Sequence, residues 1–179
     1  MSGPILSHPV ALGDIHGGLD AEISAGPAER AALAVEYELL EVSGLSAAVT
    51  VTAEEGGGFE VAGRLVADIA QPCVVSLVPV PQHIDERFSV RFVRPGSSEL
   101  PSEVKPHEEI VVDPSLPDPP DVLAGTSLDL GAIVEEAFVL AIDPYPRAPG
   151  AVLAEDAADQ TDQPDSPFAV LAGLRSRKN

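Results

Sequence analysis

Between Ala48 and Phe92 apolar and polar residues alternate with a period of two, and on either side of that block the period becomes helical. Ala48 to Ala53 alternates around Val49 and Val51, and Gly56-Gly57-Gly58 supplies a turn. Phe59, Val61, Gly63, Leu65, Ala67 and Ile69 then share one face of a strand, with Glu60, Arg64 and Asp68 on the other. Cys73 to Val80 reads as a third, more evenly apolar strand, which Pro79 and Pro81 should end or interrupt. Ile84, Phe88, Val90 and Phe92 form a fourth, with Asp85, Arg87, Ser89 and Arg91 outward. The connections are short, and parallel pairing needs a long crossover, so the pattern predicts an antiparallel meander.

Two helices flank it. Pro27 stands at a first helical position with Glu29 in the first turn, and Leu33, Tyr37 and Leu40 share a face. This predicts a helix over 27–40 ended by Gly44. Leu130, Ile133, Val134, Ala137, Phe138 and Ala141 repeat at the spacing of a strongly amphipathic helix. Asp129 is its expected N-cap, Thr126-x-x-Asp129 resembles a capping box begun one turn earlier, and Asp143-Pro144 closes it. A short opening strand is expected at Val10–Leu12 and another at Glu109–Val112. The fold class is therefore α+β: an antiparallel meander of four to five strands, with curling toward a barrel left open, and two main helices packed on it. One domain should occupy 1–150, interrupted by a proline-rich acidic excursion at 94–125. An acidic linker follows at 151–165 and a terminal peptide at 166–179.

Charge narrows the function. The net charge is −19. Nucleic-acid affinity rests on cations that displace counterions, so extensive RNA contact by the body is disfavoured, as is an anionic membrane surface. An acidic field favours basic partners, the plain alternative being solubility alone. No apolar run approaches a membrane span and the first residues do not resemble a signal peptide, so a cytoplasmic protein is expected.

Little in the chain suggests catalysis. His8, His16, His83 and His107 lack metal-ligand spacing, and Asp14 with His16 reads as a solvated turn. The triple glycine joins two strands and opens no helix, which suits a hairpin rather than a phosphate cradle. Cys73, the single cysteine, reads as a buried small hydrophobe rather than a nucleophile. Glu135 and Glu136 are adjacent on a helix, point apart and mark its polar side. No enzyme, cofactor or metal site is expected.

The chain ends differently. An apolar run from Phe168 to Leu174 leads into Arg175, Arg177 and Lys178, behind a spacer carrying Glu155, Asp156, Asp159, Asp162 and Asp165. That pattern suits a tethered docking peptide. Phe168, Val170, Leu171 and Leu174 would be its apolar anchors, in a helix-in-groove mode. Arg175, Arg177 and Lys178 would contact phosphates or an acidic groove. Alternatively the peptide folds back on its own domain, with the apolar face of Leu128–Ile142 as its dock.

Gly63–Gln71 running into Pro72–Leu77 is similar to the central signature of the bacterial YceD family, in the form expected of an alphaproteobacterial branch. Leu128–Leu140 resembles the family's long helix, Asp143–Arg147 its proline-rich turn, and Pro167–Leu174 with the basic end its terminal peptide. The resemblance implies a non-catalytic ribosome biogenesis factor that supports accumulation of large-subunit (23S) ribosomal RNA. Its partners would be a large-subunit ribosomal protein, an rRNA precursor, or both. Many relatives carry a Cys-x-x-Cys pair; here only Cys73 remains, so no zinc role carries over. If the body touches RNA, Arg64, Arg87, Arg91 and Arg94 are the candidate surface, Arg87 and Arg91 being an even number apart on one strand. The alternative is an acidic adaptor or chaperone for a basic protein, without RNA contact.

Overall fold

The computed structural model describes residues 3–15, 17–98, 100 and 119–152. The chain divides into Met1–Ala148 and Pro149–Asn179, and of the second unit the described residues are 149–152, a turn with Gly150 at a φ of 76°. The linker from 153 onward, the terminal peptide and the expected Glu109–Val112 strand lie outside the described residues.

Strands β1 (Pro9–Ala11), β2 (Leu19–Ser24), β3 (Glu41–Ala53), β4 (Phe59–Pro72), β5 (Pro79–Val93), β6 (Asp121–Val122) and β7 (Ser127–Asp129) accompany helices α1 (Pro27–Glu36) and α2 (Leu130–Ala141). A five-stranded sheet runs in the order β2-β3-β4-β5-β6, antiparallel except for β5 against β6, and β1 pairs with β7 in a separate small ladder. The α+β class holds. The main sheet stays open, ending at β2 and β6, rather than closing into a barrel.

Period-two alternation decides which face is covered. Val49, Val51, Val61, Leu65, Ala67, Ile69 and Ile84 are buried on one side, against Leu33 of α1 and Leu130, Val134 and Phe138 of α2. The Tyr37 and Phe138 rings meet edge to face at 6.3 Å.

Several boundaries depart from the sequence pattern. Helix α1 stops at Glu36, not at residue 40. Leu39 N–H donates to the Ala34 carbonyl and Glu38 N–H to Val35, with Glu38 itself left-handed at a φ of 54°. This is a Schellman ending without its usual glycine, so the sequence offered no stop signal there. Gly44, expected to end that helix, lies in β3 beside a bulge between Val42 and Gly44. The expected strand over Cys73–Val80 is a turn through residue 78: Leu77 N–H donates to the Cys73 carbonyl, and Cys73 N–H to Val78. Pro79 and Pro81 therefore open β5 instead of ending a strand. The Ala70 carbonyl accepts from Leu40, so Ala70 faces away from β5 and Pro81 opposite it needs no N–H toward β4. Two strands the pattern missed are β6, inside the expected 94–125 excursion, and β2, which alternates Leu19, Ala21 and Ile23 with Asp20, Glu22 and Ser24.

Asp129 caps α2 as expected, accepting from Gly131 and Ala132 N–H, while residues 127–129 form β7 rather than an earlier helical turn. The same carboxylate accepts from His8 N–H at 2.7 Å and the Ser7 hydroxyl at 2.9 Å. Burial works against its ionisation, yet these donors hold it below the usual carboxylate range. Glu135 overturns its expected placement on the polar face. It is 7% exposed, and its carboxyl oxygens accept from Leu6 N–H at 2.8 Å and the Tyr37 hydroxyl at 2.6 Å. Burial first, and then Glu135, push the Tyr37 hydroxyl pKa upward. Gly131 completes this clasp, since a Cβ there would lie 2.7–2.8 Å from the backbone of His8 and Leu6. Removing an acceptor from two enclosed donors is costly, so Glu135→Ala should lower stability by about 3 kcal/mol. Glu135→Gln, which keeps an acceptor, should lose less. Urea unfolding of both variants beside the wild type measures the difference.

Candidate interaction face

The side of the sheet that no described residue covers is the surface on which most of the sequence-predicted body residues lie. Along β2 it carries Asp20, Glu22 and Ser24, and along β3 Ser46, Ala48, Thr50 and Thr52. From β4 come Glu60, Ala62, Arg64, Val66 and Asp68, and from β5 His83, Asp85, Arg87, Ser89 and Arg91. Its middle is small and weakly polar, and its charges lie toward β2 on one side and β4–β5 on the other. Gly63, on the opposite side of β4, makes room for its in-sheet neighbours: a Cβ would lie 2.8 Å from the Ala48 carbonyl of β3 and 2.5 Å from the Phe88 ring of β5.

Three of the four candidate arginines share this face, Arg64 lying directly across from Arg87 in the β4–β5 register. Arg94 lies past the end of β5 and donates to the Gly57 carbonyl at 3.2 Å. Two of the three arginines on the face are engaged with carboxylates. Arg64 grips Asp85 with two hydrogen bonds of 2.6 and 2.5 Å, which holds the Asp85 carboxyl below its usual range and raises the arginine. Arg91 meets Glu54 at 3.0 Å, and His83 lies 2.7 Å from Asp68. Arg64 and Arg87 lie side by side in register with Asp85 near both, Arg64 hydrogen-bonding it and Arg87 lowering its pKa through charge alone. The face is a mosaic rather than a bare cationic patch. The terminal candidates Phe168, Val170, Leu171, Leu174, Arg175, Arg177 and Lys178 lie outside the described residues.

Cys73 is fully enclosed, as the sequence suggested, but it is not simply a small hydrophobe. Its sulfur accepts N–H groups from Val75 and Ser76 at 3.4 Å each and from Ala148 at 3.3 Å. Val74 N–H donates to the Pro146 carbonyl, so the 73–78 turn is sewn to the segment after α2. These donors, Ala148 first, bring the thiol down to about 6 although burial opposes the charge. Among the described residues no group of three or more His, Cys, Asp or Glu side chains could hold a metal ion. No described helix is long and apolar enough to cross a membrane.

The sulfur pocket predicts a pH signature. A folded-state pKa below the unfolded value adds stability that is complete above the unfolded value and lost as pH falls through the folded one. Wild-type stability should therefore rise between about pH 6 and pH 9 relative to Cys73→Ala, the window set by the folded value and the ordinary thiol. Paired denaturant titrations across that range give the slope; parallel curves would rule out a thiolate in this pocket.

A family model described as large ribosomal RNA subunit accumulation protein YceD matches residues 61–175, more than half of the chain. The match takes in most of β4, β5, the turn at Cys73 and α2, which build the sulfur pocket and the β4–β5 half of the open face, while β2 and β3 precede it. No curated protein and no solved structure matches the chain.

Proposed function

The chain belongs to the YceD family, and from that premise we propose that it supports accumulation of large-subunit ribosomal RNA as a non-catalytic binding factor, in direct contact with a basic protein partner. The observation that carries this reading is electrostatic. A chain of net charge −19 presents arginines on its open face that are occupied by carboxylates, Arg64 by Asp85 and Arg91 by Glu54. Phosphate binding requires cations free to replace counterions, whereas an acidic mosaic attracts and shields a basic ribosomal protein before RNA is assembled around it. A large-subunit ribosomal protein fits that chemistry. In this reading the terminal peptide supplies a second contact: Phe168, Val170, Leu171 and Leu174 enter an apolar groove of the partner, and Arg175, Arg177 and Lys178 meet acidic groups at its rim. The working place is the cytoplasm.

The rival class, direct RNA binding through Arg64, Arg87, Arg91 and Arg94, has one supporting feature, the shared face of the first three. Salt titrations with full-length protein separate the two. Naked large-subunit RNA should bind negligibly at physiological salt, while a purified basic large-subunit protein should be captured. Tight RNA binding with a steep log–log salt slope, weakened by Arg87→Glu, would overturn the protein-contact reading. Truncation after Gln163 should weaken capture of the partner; unchanged capture would place the whole contact on the body.

A further inference from the structure

The two long edges of the sheet are finished differently. On β5, Pro79 and Pro81 occupy the edge strand, and β6 pairs with Phe92 and Val93. Prolines and covering segments are devices that blunt a strand edge against further pairing. At the opposite end, β2 has no proline, lysine or bulge across Leu19–Ser24, and no strand pairs with its outer side among the described residues.

Ladder parity shows what that edge offers. Ala25 N–H donates to the Leu45 carbonyl at 3.0 Å, and the register runs unbroken from there. Ile23, Ala21 and Leu19 are therefore the residues that exchange hydrogen bonds with β3, opposite Ala47, Val49 and Val51. Asp20, Glu22 and Ser24 turn their backbone N–H and C=O groups outward, away from β3. Their side chains are exposed on the open face, and Leu19, Ala21 and Ile23 turn inward. The Thr50 hydroxyl donates to Asp20 at 2.7 Å, and neither Asp20 nor Glu22 is in an ion pair among the described residues. Beside them lies a hollow of about 390 Å³ lined in part by Glu22, Ser24, Ser46, Ala48 and Val66.

We infer that the outer edge of β2 takes up an extended basic segment of a partner protein as an added strand. Lysine or arginine at alternate positions of that segment faces Asp20 and Glu22, and apolar residues between them extend the core-side row of Leu19, Ala21 and Ile23. Cross-strand neighbours on one face are close enough for opposite charges to pair, so the two carboxylates select the basic register. Main-chain hydrogen bonds supply affinity and alternate side chains supply selection, as in other strand-addition complexes. The inference rests on the reading of the protein as a factor for a basic partner, and it names where that partner is held.

Full-length protein is titrated with a synthetic peptide of alternating lysine and valine, and with a control of the same composition whose lysines are contiguous. Amide exchange is followed residue by residue. The alternating peptide should slow exchange at Asp20, Glu22 and Ser24 and bind more tightly than the control. Glu22→Pro deletes one outward donor without touching the β2–β3 ladder, and protected Ala21 and Ile23 amides report that the sheet is intact. It should weaken binding at least about tenfold. A Glu22→Lys variant, which keeps the backbone donor, should also weaken it. Wild-type affinity in Glu22→Pro, equal binding of both peptides, or protection elsewhere on the sheet would each overturn the inference. A purified basic ribosomal protein separates the two levels. If it binds wild type and Glu22→Pro alike, the edge is wrong and the protein-contact reading stands; if it binds neither, both fall. Protection of the edge by RNA instead of the peptide would overturn both.

Discussion

Strands of 13, 14 and 15 residues form the middle of this protein, and helices of ten and twelve residues cover one of their faces. That inequality governs the rest. Apolar side chains must collect on the covered side, where β4 places Val61, Leu65, Ala67 and Ile69. The remaining side must be made of groups stable against water, which here are serine, threonine, alanine and charged side chains, only some of them paired. A surface left open by one-sided burial is then the natural place for contact with another molecule, and its composition decides which kind.

Keeping the cover in place falls to a few enclosed polar groups. Glu135 and Asp129 lie on or just before α2 and both reach back to the amino-terminal segment, one through Leu6 and the other through Ser7 and His8. Glu135 also takes the hydroxyl of Tyr37, just past α1, so a single carboxyl links both helical regions and the segment before the first strand. Enclosed polar groups of this kind specify one arrangement because any slippage leaves donors unpaired. The sulfur of Cys73 does the same at the other end of α2, collecting amides from its own turn and from Ala148.

Much of this was legible in the chain. The β4 and β5 faces follow directly from alternation at Phe59–Ile69 and Ile84–Phe92, and α2 with its Asp129 cap follows from helical spacing. What escaped did so for identifiable reasons. Helix α1 ends on Glu38 in a left-handed conformation usually given to glycine, so a propensity-based stop at Gly44 overshot. Strand β2 carries a clear alternation but is short and follows a glycine-rich loop. Glu135 cannot be told from Glu136 by residue type; the hint was Gly131 one turn earlier, whose missing side chain lets the Leu6–His8 backbone come close. Arg64, Arg87 and Arg91 were placed on a common face by counting, but the carboxylate partners of Arg64 and Arg91 come from other strands and turns, and pairing across strands is set by register.

In the proposed role, the open sheet face meets basic protein rather than bare RNA. A photo-crosslinking amino acid at Ser46, in the small-residue centre of that face, tests this in living cells. Protein adducts that survive ribonuclease and contain a basic large-subunit protein are the expected result. Adducts that ribonuclease dissolves, leaving only nucleotide remnants on the chain, would contradict it.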